Sequence, residues 1–106
     1  MITRQVKTVP KLVLNDGTTM SVQASSFHYC NPRNDYGPYH EVEVGYVEDK
    51  DGNAVVFETP NYKCSGRWSD VYSFIDTHVL MDFIEIHGGI HSGGLPSLSF
   101  LPRRTS

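Results

Sequence analysis

The run His40-Glu41-Val42-Glu43-Val44-Gly45-Tyr46-Val47 constrains the fold more than any other stretch of the chain. Val42, Val44 and Tyr46 alternate with Glu41, Glu43 and Gly45, a period of two that puts apolar side chains on one face and carboxylates on the other. Such a strand belongs to a sheet with one face covered and one face wet. A hairpin is expected over 11–24, strands 11–14 and 18–24 flanking a turn at Asn15-Asp16-Gly17 in which Gly17 takes positive φ. Residues 48–53, Glu48-Asp49-Lys50-Asp51-Gly52-Asn53, read as a turn, after which Ala54 to Glu58 is expected to return as a partner strand. Between these elements, 25–39 reads as a long loop in which Asn31, Pro32, Asn34, Asp35, Gly37 and Pro38 crowd together. A second irregular stretch, 59–70, contains Trp68.

The period then changes. Val71-Tyr72-Ser73-Phe74-Ile75 has strand composition, Asp76 suits a helix N-cap, and Val79, Leu80, Phe83, Ile84 and His87 recur at helical spacing. That leaves His78, Asp82 and Glu85 to solvent, and Gly88-Gly89 ends the helix, with Gly88 at the left-handed position and Ile90 folding back on the last turn. This helix is the only element available to cover the sheet. The expected fold is therefore α+β: a small, mostly antiparallel sheet of about five strands packed against one C-terminal helix. Val42, Val44, Val55, Phe57, Phe74, Val79, Leu80, Phe83 and Ile84 are its expected core. The 106 residues suit one domain, assigned to 1–90, and 91–106 is expected to be a flexible Gly/Ser/Pro-rich tail outside the core.

Composition excludes several classes. A chain that is 39% hydrophobic and 20% charged has enough apolar surface for a core. No apolar run approaches the ~20 residues of a membrane helix, so no membrane partner is expected. The opening MITRQVKTVPKLVL lacks the apolar core of about 7–15 residues that a secretory signal needs, which points to the cytoplasm and reduced cysteines. A net charge of −3 argues against direct nucleic-acid binding.

Four groups of residues are candidates for function. His28, Cys30, His40, Cys64, His78, His87 and His91 are the potential metal donors, but their spacing fits no zinc pattern, and neither metal nor cofactor is expected. A Cys30–Cys64 disulfide would need oxidising conditions. A Cys30–His–Asp triad could be assembled from distant residues, yet no nucleophile elbow or phosphate loop accompanies it, so the chain is not expected to be an enzyme. The third group is aromatic: Phe27, Tyr29, Tyr36 and Tyr39 surround Arg33, and Tyr and Arg are favoured interface anchors. The fourth is acidic. Residues 41–58 carry Glu41, Glu43, Glu48, Asp49, Asp51 and Glu58 against Lys50, a net −5, while the rest of the chain (eight basic, six acidic) is +2. Displayed as a ridge, these carboxylates suit a basic partner; the plainer reading is a solvated face whose charges deter edge pairing.

The segments Met20-Ser21-Val22-Gln23-Ala24-Ser25, His28-Tyr29-Cys30-Asn31-Pro32-Arg33, Glu41-Val42-Glu43-Val44-Gly45 and Ile86-His87-Gly88-Gly89-Ile90 resemble small phage and prophage accessory proteins, a group that includes anti-CRISPR inhibitors. The resemblance covers roughly residues 9–90. It implies a cytoplasmic protein of the bacterial host that inhibits a CRISPR–Cas effector, a type I surveillance complex before Cas9, by stoichiometric binding that hinders target-DNA recognition. Glu41, Glu43, Glu48, Asp49 and Asp51 would face the effector's basic nucleic-acid-binding surface, with Tyr29, Arg33, Tyr36 and Tyr39 as anchors. A charge of −3 is mild for a mimic of duplex DNA, which leaves a partial block or an allosteric contact beside mimicry. The alternatives are a non-enzymatic phage structural or regulatory module forming a small homo-oligomer through an edge strand, and a zinc protein using His28 and Cys30.

Overall fold

In the computed structural model, which describes residues 8–63 and 71–102, the chain begins with the expected hairpin. β1 (Leu12–Leu14) and β2 (Thr19–Gln23) pair antiparallel, Leu12 opposite Met20. The turn closes because Asp16 Oδ1 accepts the Thr18 N–H at 2.9 Å while Gly17 takes φ 92°. β3 (Glu41–Glu48) follows on β2, β4 (Val71–Asp76) on β3, and α1 (Thr77–Ile86) starts directly from β4. Asp76 ends the strand and caps the helix, its Oδ1 accepting the His78 N–H at 2.7 Å. The helix ends as its glycines require: the Gly88 N–H reaches the Glu85 carbonyl at 3.0 Å and the Gly89 N–H the Ile84 carbonyl at 2.9 Å, both glycines at φ 89°.

β5 (Ile90–Ser92) then pairs with β1, giving the order β4-β3-β2-β1-β5 with every neighbouring pair antiparallel. The fold is thus α+β, an open five-stranded sheet with one helix among the described residues. β4 and β5 run in the same direction at opposite edges, and the helix links them. Leu80, Phe83 and Ile84 of α1 are buried with Leu12, Leu14, Met20, Val22, Val42 and Val44 of the sheet. Phe57 seals one end, its ring centroid 4.5 Å from Phe83 and 5.5 Å from Tyr72. No helix among the described residues is long and apolar enough to cross a membrane.

Four expectations need correction. Tyr46 points outward and Val47 takes the buried position, because three residues of β2 (Thr19 to Ser21) oppose four of β3 (Gly45 to Glu48). This bulge puts Tyr46 at φ 54° and shifts the alternation by one. Phe74, expected in the core, is exposed for the same reason: β4 bulges between the Val42–Ile75 and Val44–Tyr72 pairs, with Phe74 also at φ 54°. Residues 54–58 do not form a strand. They make one bridge, Glu48 to Ala54, and a bond from the Val55 N–H to the Val47 carbonyl; the Phe57 N–H then goes to the Tyr72 hydroxyl at 2.9 Å, so the segment leaves the ladder. Val55 and Val79 are only half-buried.

The fourth correction concerns residues 91–102, expected to stay outside the core. Ser92 completes β5, and the chain returns along Tyr39, whose N–H donates to Ser97 and whose carbonyl accepts from Ser99. Thr77 Oγ donates to the Ser99 carbonyl at 2.7 Å, and His78 Nε2 to that of Leu101 at 2.6 Å. Leu95 and Leu98 pack on the core. The domain therefore extends past residue 90. Backbone pairing, which composition does not report, holds this Gly/Ser/Pro-rich strap in place.

Candidate functional site

The long loop has a simple origin in the sheet. Gln23 pairs with Glu43, and the next contact with β3 is Asn31 with Glu41. Two steps along β3 are thus matched by eight along the other strand, and residues 24–30 leave the ladder as an excursion before Asn31 rejoins it. The excursion crosses β3. The Tyr29 N–H donates to Glu43 Oε2 at 3.0 Å, and the Tyr29 carbonyl accepts the Phe74 N–H at 3.1 Å from β4. The bulge at Phe74 frees that N–H for the loop and turns the ring to the outer face.

Short bonds pin the loop together. Asp35 Oδ1 accepts both the N–H (2.9 Å) and hydroxyl (2.7 Å) of Ser26, and Arg33 Nε donates to the Ser26 carbonyl. Ser25 Oγ lies 2.7 Å from His28 Nδ1 and accepts the Phe27 N–H. Cys30 Sγ is buried and donates to the Ser25 carbonyl; burial pushes its thiol pKa up despite that bond. A buried, raised thiol is a poor nucleophile.

What this scaffold displays is a ring pair. Tyr29 and Phe74 are 52% and 48% exposed, their centroids 6.0 Å apart, and the Arg33 guanidinium stands 5.5 Å over the Tyr29 ring. Phe27 is exposed on the same excursion. Beside the rings, Glu41 and Glu43 project from alternate positions of β3, and Asp76 is paired directly with Glu41 on β4. Among the described residues none of these three carboxylates forms an ion pair. Each accepts a hydrogen bond, Glu41 from Asn31 Nδ2 at 3.3 Å, Glu43 from the Tyr29 N–H and Asp76 from the His78 N–H, and together they give this corner of the sheet a negative charge.

The other expected site residues are distributed differently. Glu48, Asp49 and Asp51 lie at the far end of β3, roughly 20 Å from Glu41 at the strand's rise per residue. The single acidic ridge is therefore two separate groups. Glu48 pairs with Lys11 at 3.5 Å, and Asp49 closes its own turn by accepting the N–H groups of Asp51 and Asn53. The Asn53 N–H holds the Asp49 carboxyl below its usual range against slight desolvation, with further help from Asp51 and Lys50. Tyr36 is exposed but lines another cleft, about 360 Å³, with Val9, Leu95 and Pro96. Tyr39, expected as an anchor, is 3% exposed: the strap covers its backbone and its hydroxyl donates to the Asn34 carbonyl at 2.8 Å. It supports the loop from beneath. Phe74 and Asp76 also belong to the face, Asp76 while capping the helix, and only the bulge and the strand register bring the two there.

The candidate metal donors are dispersed. His28 sits on Ser25, His78 on Leu101, His87 on Asp16 at 2.6 Å, and His91 beside Ser92. Cys64, and with it any Cys30–Cys64 pairing, lies outside the described residues. Among the described residues no three His, Cys, Asp or Glu side chains converge as metal ligands do. Compared with protein-family models, with characterised proteins and with solved structures, the chain matches none.

Proposed function

We propose that this protein acts by stoichiometric binding, docking the Tyr29–Phe74 face against a basic surface of a protein partner. The observation that carries the reading is the half-exposed ring pair held beside Glu41, Glu43 and Asp76, three carboxylates without an ion pair among the described residues. Rings supply contact area at low entropy cost and the carboxylates supply charge selection, which together suit a Lys- or Arg-bearing surface. Single-stranded nucleic acid would meet the rings as well, but its phosphates would be repelled by the same carboxylates. In the form the sequence resemblance implies, the partner is a CRISPR–Cas effector and the binding hinders target-DNA recognition in the bacterial cytoplasm.

The test is phage plaquing on strains with active type I or type II CRISPR–Cas, with this protein expressed. Restored plaquing that is lost in Tyr29→Ala and in Glu41→Lys supports the reading. Glu43→Gln keeps an acceptor for the Tyr29 N–H while removing charge, so it separates loop anchoring from partner attraction. Restored plaquing untouched by all three variants would remove this face from the function. No rescue by soluble protein, with a defined oligomer in light scattering, would favour the homo-oligomeric module.

A further inference from the structure

The opposite edge of the sheet carries a second surface, built from different residues. β5 is the outermost strand among the described residues, and an edge strand presents a row of backbone N–H and C=O groups to solvent. Its length is fixed at both ends. Gly89 turns the chain in at φ 89°, and Gly93 turns it out at φ 96°, so close to β1 that a Cβ there would stand 2.1 Å from the Lys11 carbonyl oxygen. Between β5 and the last turns of α1 runs a cleft of about 470 Å³ lined by Met81, Ile84, Glu85, Gly88, Gly89 and Ile90. Ile90 is 43% exposed there. Glu85 stands at the cleft and forms no ion pair among the described residues.

We infer that this edge and its cleft receive an extended segment of a partner protein, which adds a strand to β5, places an apolar side chain against Met81, Ile84 and Ile90, and sets a Lys or Arg opposite Glu85. An edge strand beside a helix groove is a recurring physical solution to peptide recognition: main-chain bonds supply affinity, and pockets for alternate side chains supply selectivity. Charge decides the occupant. Two copies of this chain joined β5 to β5 would bring both Glu85 carboxylates to one seam on the helix side, whereas a basic strand neutralises the single one. The inference does not depend on the Tyr29–Phe74 face and can fail or hold separately from it.

The experiment uses two blocked pentapeptides, acetyl-Thr-Ile-Thr-Lys-Thr-amide and acetyl-Thr-Ile-Thr-Glu-Thr-amide, in which the second and fourth side chains share one face of a strand. A third carries the Lys sequence with N-methylated threonines. Each is titrated into the full chain with backbone amide shifts as the readout. The expected result is that the Lys peptide moves the amides of Ile90, His91 and Ser92 and protects from exchange those that point away from β1, the Glu peptide binds about threefold or more weakly, and the N-methylated peptide does not bind. Glu85→Lys, at an exposed position that tolerates substitution, should reverse the order of the two charged peptides, and Ile90→Ala should weaken both. The inference is overturned if no shift appears in β5 up to about 1 mM peptide. It is also overturned if the peptide order survives Glu85→Lys, or if the same amides shift on concentrating the protein alone, which would make a second copy the occupant.

Discussion

The backbone N–H of Phe74 donates to the carbonyl of Tyr29 at 3.1 Å, and the rings of the same two residues stand 6.0 Å apart at 56°. Their positions are separated by most of two strands and the helix-facing segment 54–63, yet backbone and side chain both meet. The left-handed conformation at Phe74 makes this contact available, by turning one N–H out of the β3–β4 ladder and one aromatic ring out of the core. The loop excursion and the β4 bulge are thus two halves of one device that displays aromatic surface on the outer sheet face.

A non-glycine residue in the left-handed region costs about 1–2 kcal/mol, which glycine avoids. Inside ordinary strands glycine is the worse residue by about 0.5–1 kcal/mol relative to alanine. At position 74 the order should invert: Phe74→Gly is expected to be more stable than Phe74→Ala by about 1 kcal/mol in urea unfolding. Both variants should lose binding through the aromatic face equally. An alanine variant as stable as the glycine one would argue against the bulge.

The Phe57 N–H is buried and its acceptor is the Tyr72 hydroxyl at 2.9 Å. Tyr72→Phe keeps the ring contact with Phe57 but strands that donor, at an expected cost of about 1–3 kcal/mol. The same substitution should speed amide exchange at Phe57 before any change at Val22 or Val44. Wild-type stability in this variant would mean that water or another group satisfies the donor.

Gly93 and Gly52 both have positive φ, but only Gly93 faces backbone at close range, since nothing lies within 4 Å of a Cβ at Gly52. Gly52→Ala should therefore cost only the left-handed penalty, about 1 kcal/mol. Gly93→Ala should cost about 3 kcal/mol or more and loosen β5 from β1, because the Lys11 carbonyl and Leu12 Cα cannot retreat without breaking the sheet. Urea midpoints for the pair, with amide exchange at Val13 and Ser92, test the difference.

Asp16 provides a pH signature. Burial works to raise its pKa, but the Thr18 N–H, the contact with His87 and the Thr18 hydroxyl outweigh it and bring the value from 3.8 to about 2. A depressed carboxylate pKa stabilises the fold above the unfolded value, and that contribution is lost as pH falls through the folded one, here between about pH 4 and pH 2. The Asp16 side chain is 45% exposed, so solvent screening keeps the contribution below about 1 kcal/mol. Asp16→Asn should be less stable than the parent near neutral pH, with the gap closing at the acid end. A gap of constant size across urea titrations down to about pH 2 would contradict the assignment.

The period of two in Glu41–Val44, the turn at Asn15-Asp16-Gly17, the Asp76 cap and the Gly88-Gly89 stop are local signals, and each determined its element without help from the rest of the chain. Together they were enough for the α+β class and the helix-covered sheet. Tertiary structure alone decided the surface. A bulge arises when two strands pair with unequal residue counts, which neither strand's sequence records, and the two bulges exchanged Tyr46 and Phe74 from inside to outside. The strap of 93–102 has no periodic apolar face; its place depends on carbonyl and N–H partners at Tyr39 and Thr77 that exist only after the sheet and helix have packed. The acidic run likewise became two separate groups because an eight-residue strand carries its ends far apart, leaving Glu41 to meet Asp76 across the register and Glu48 to meet Lys11.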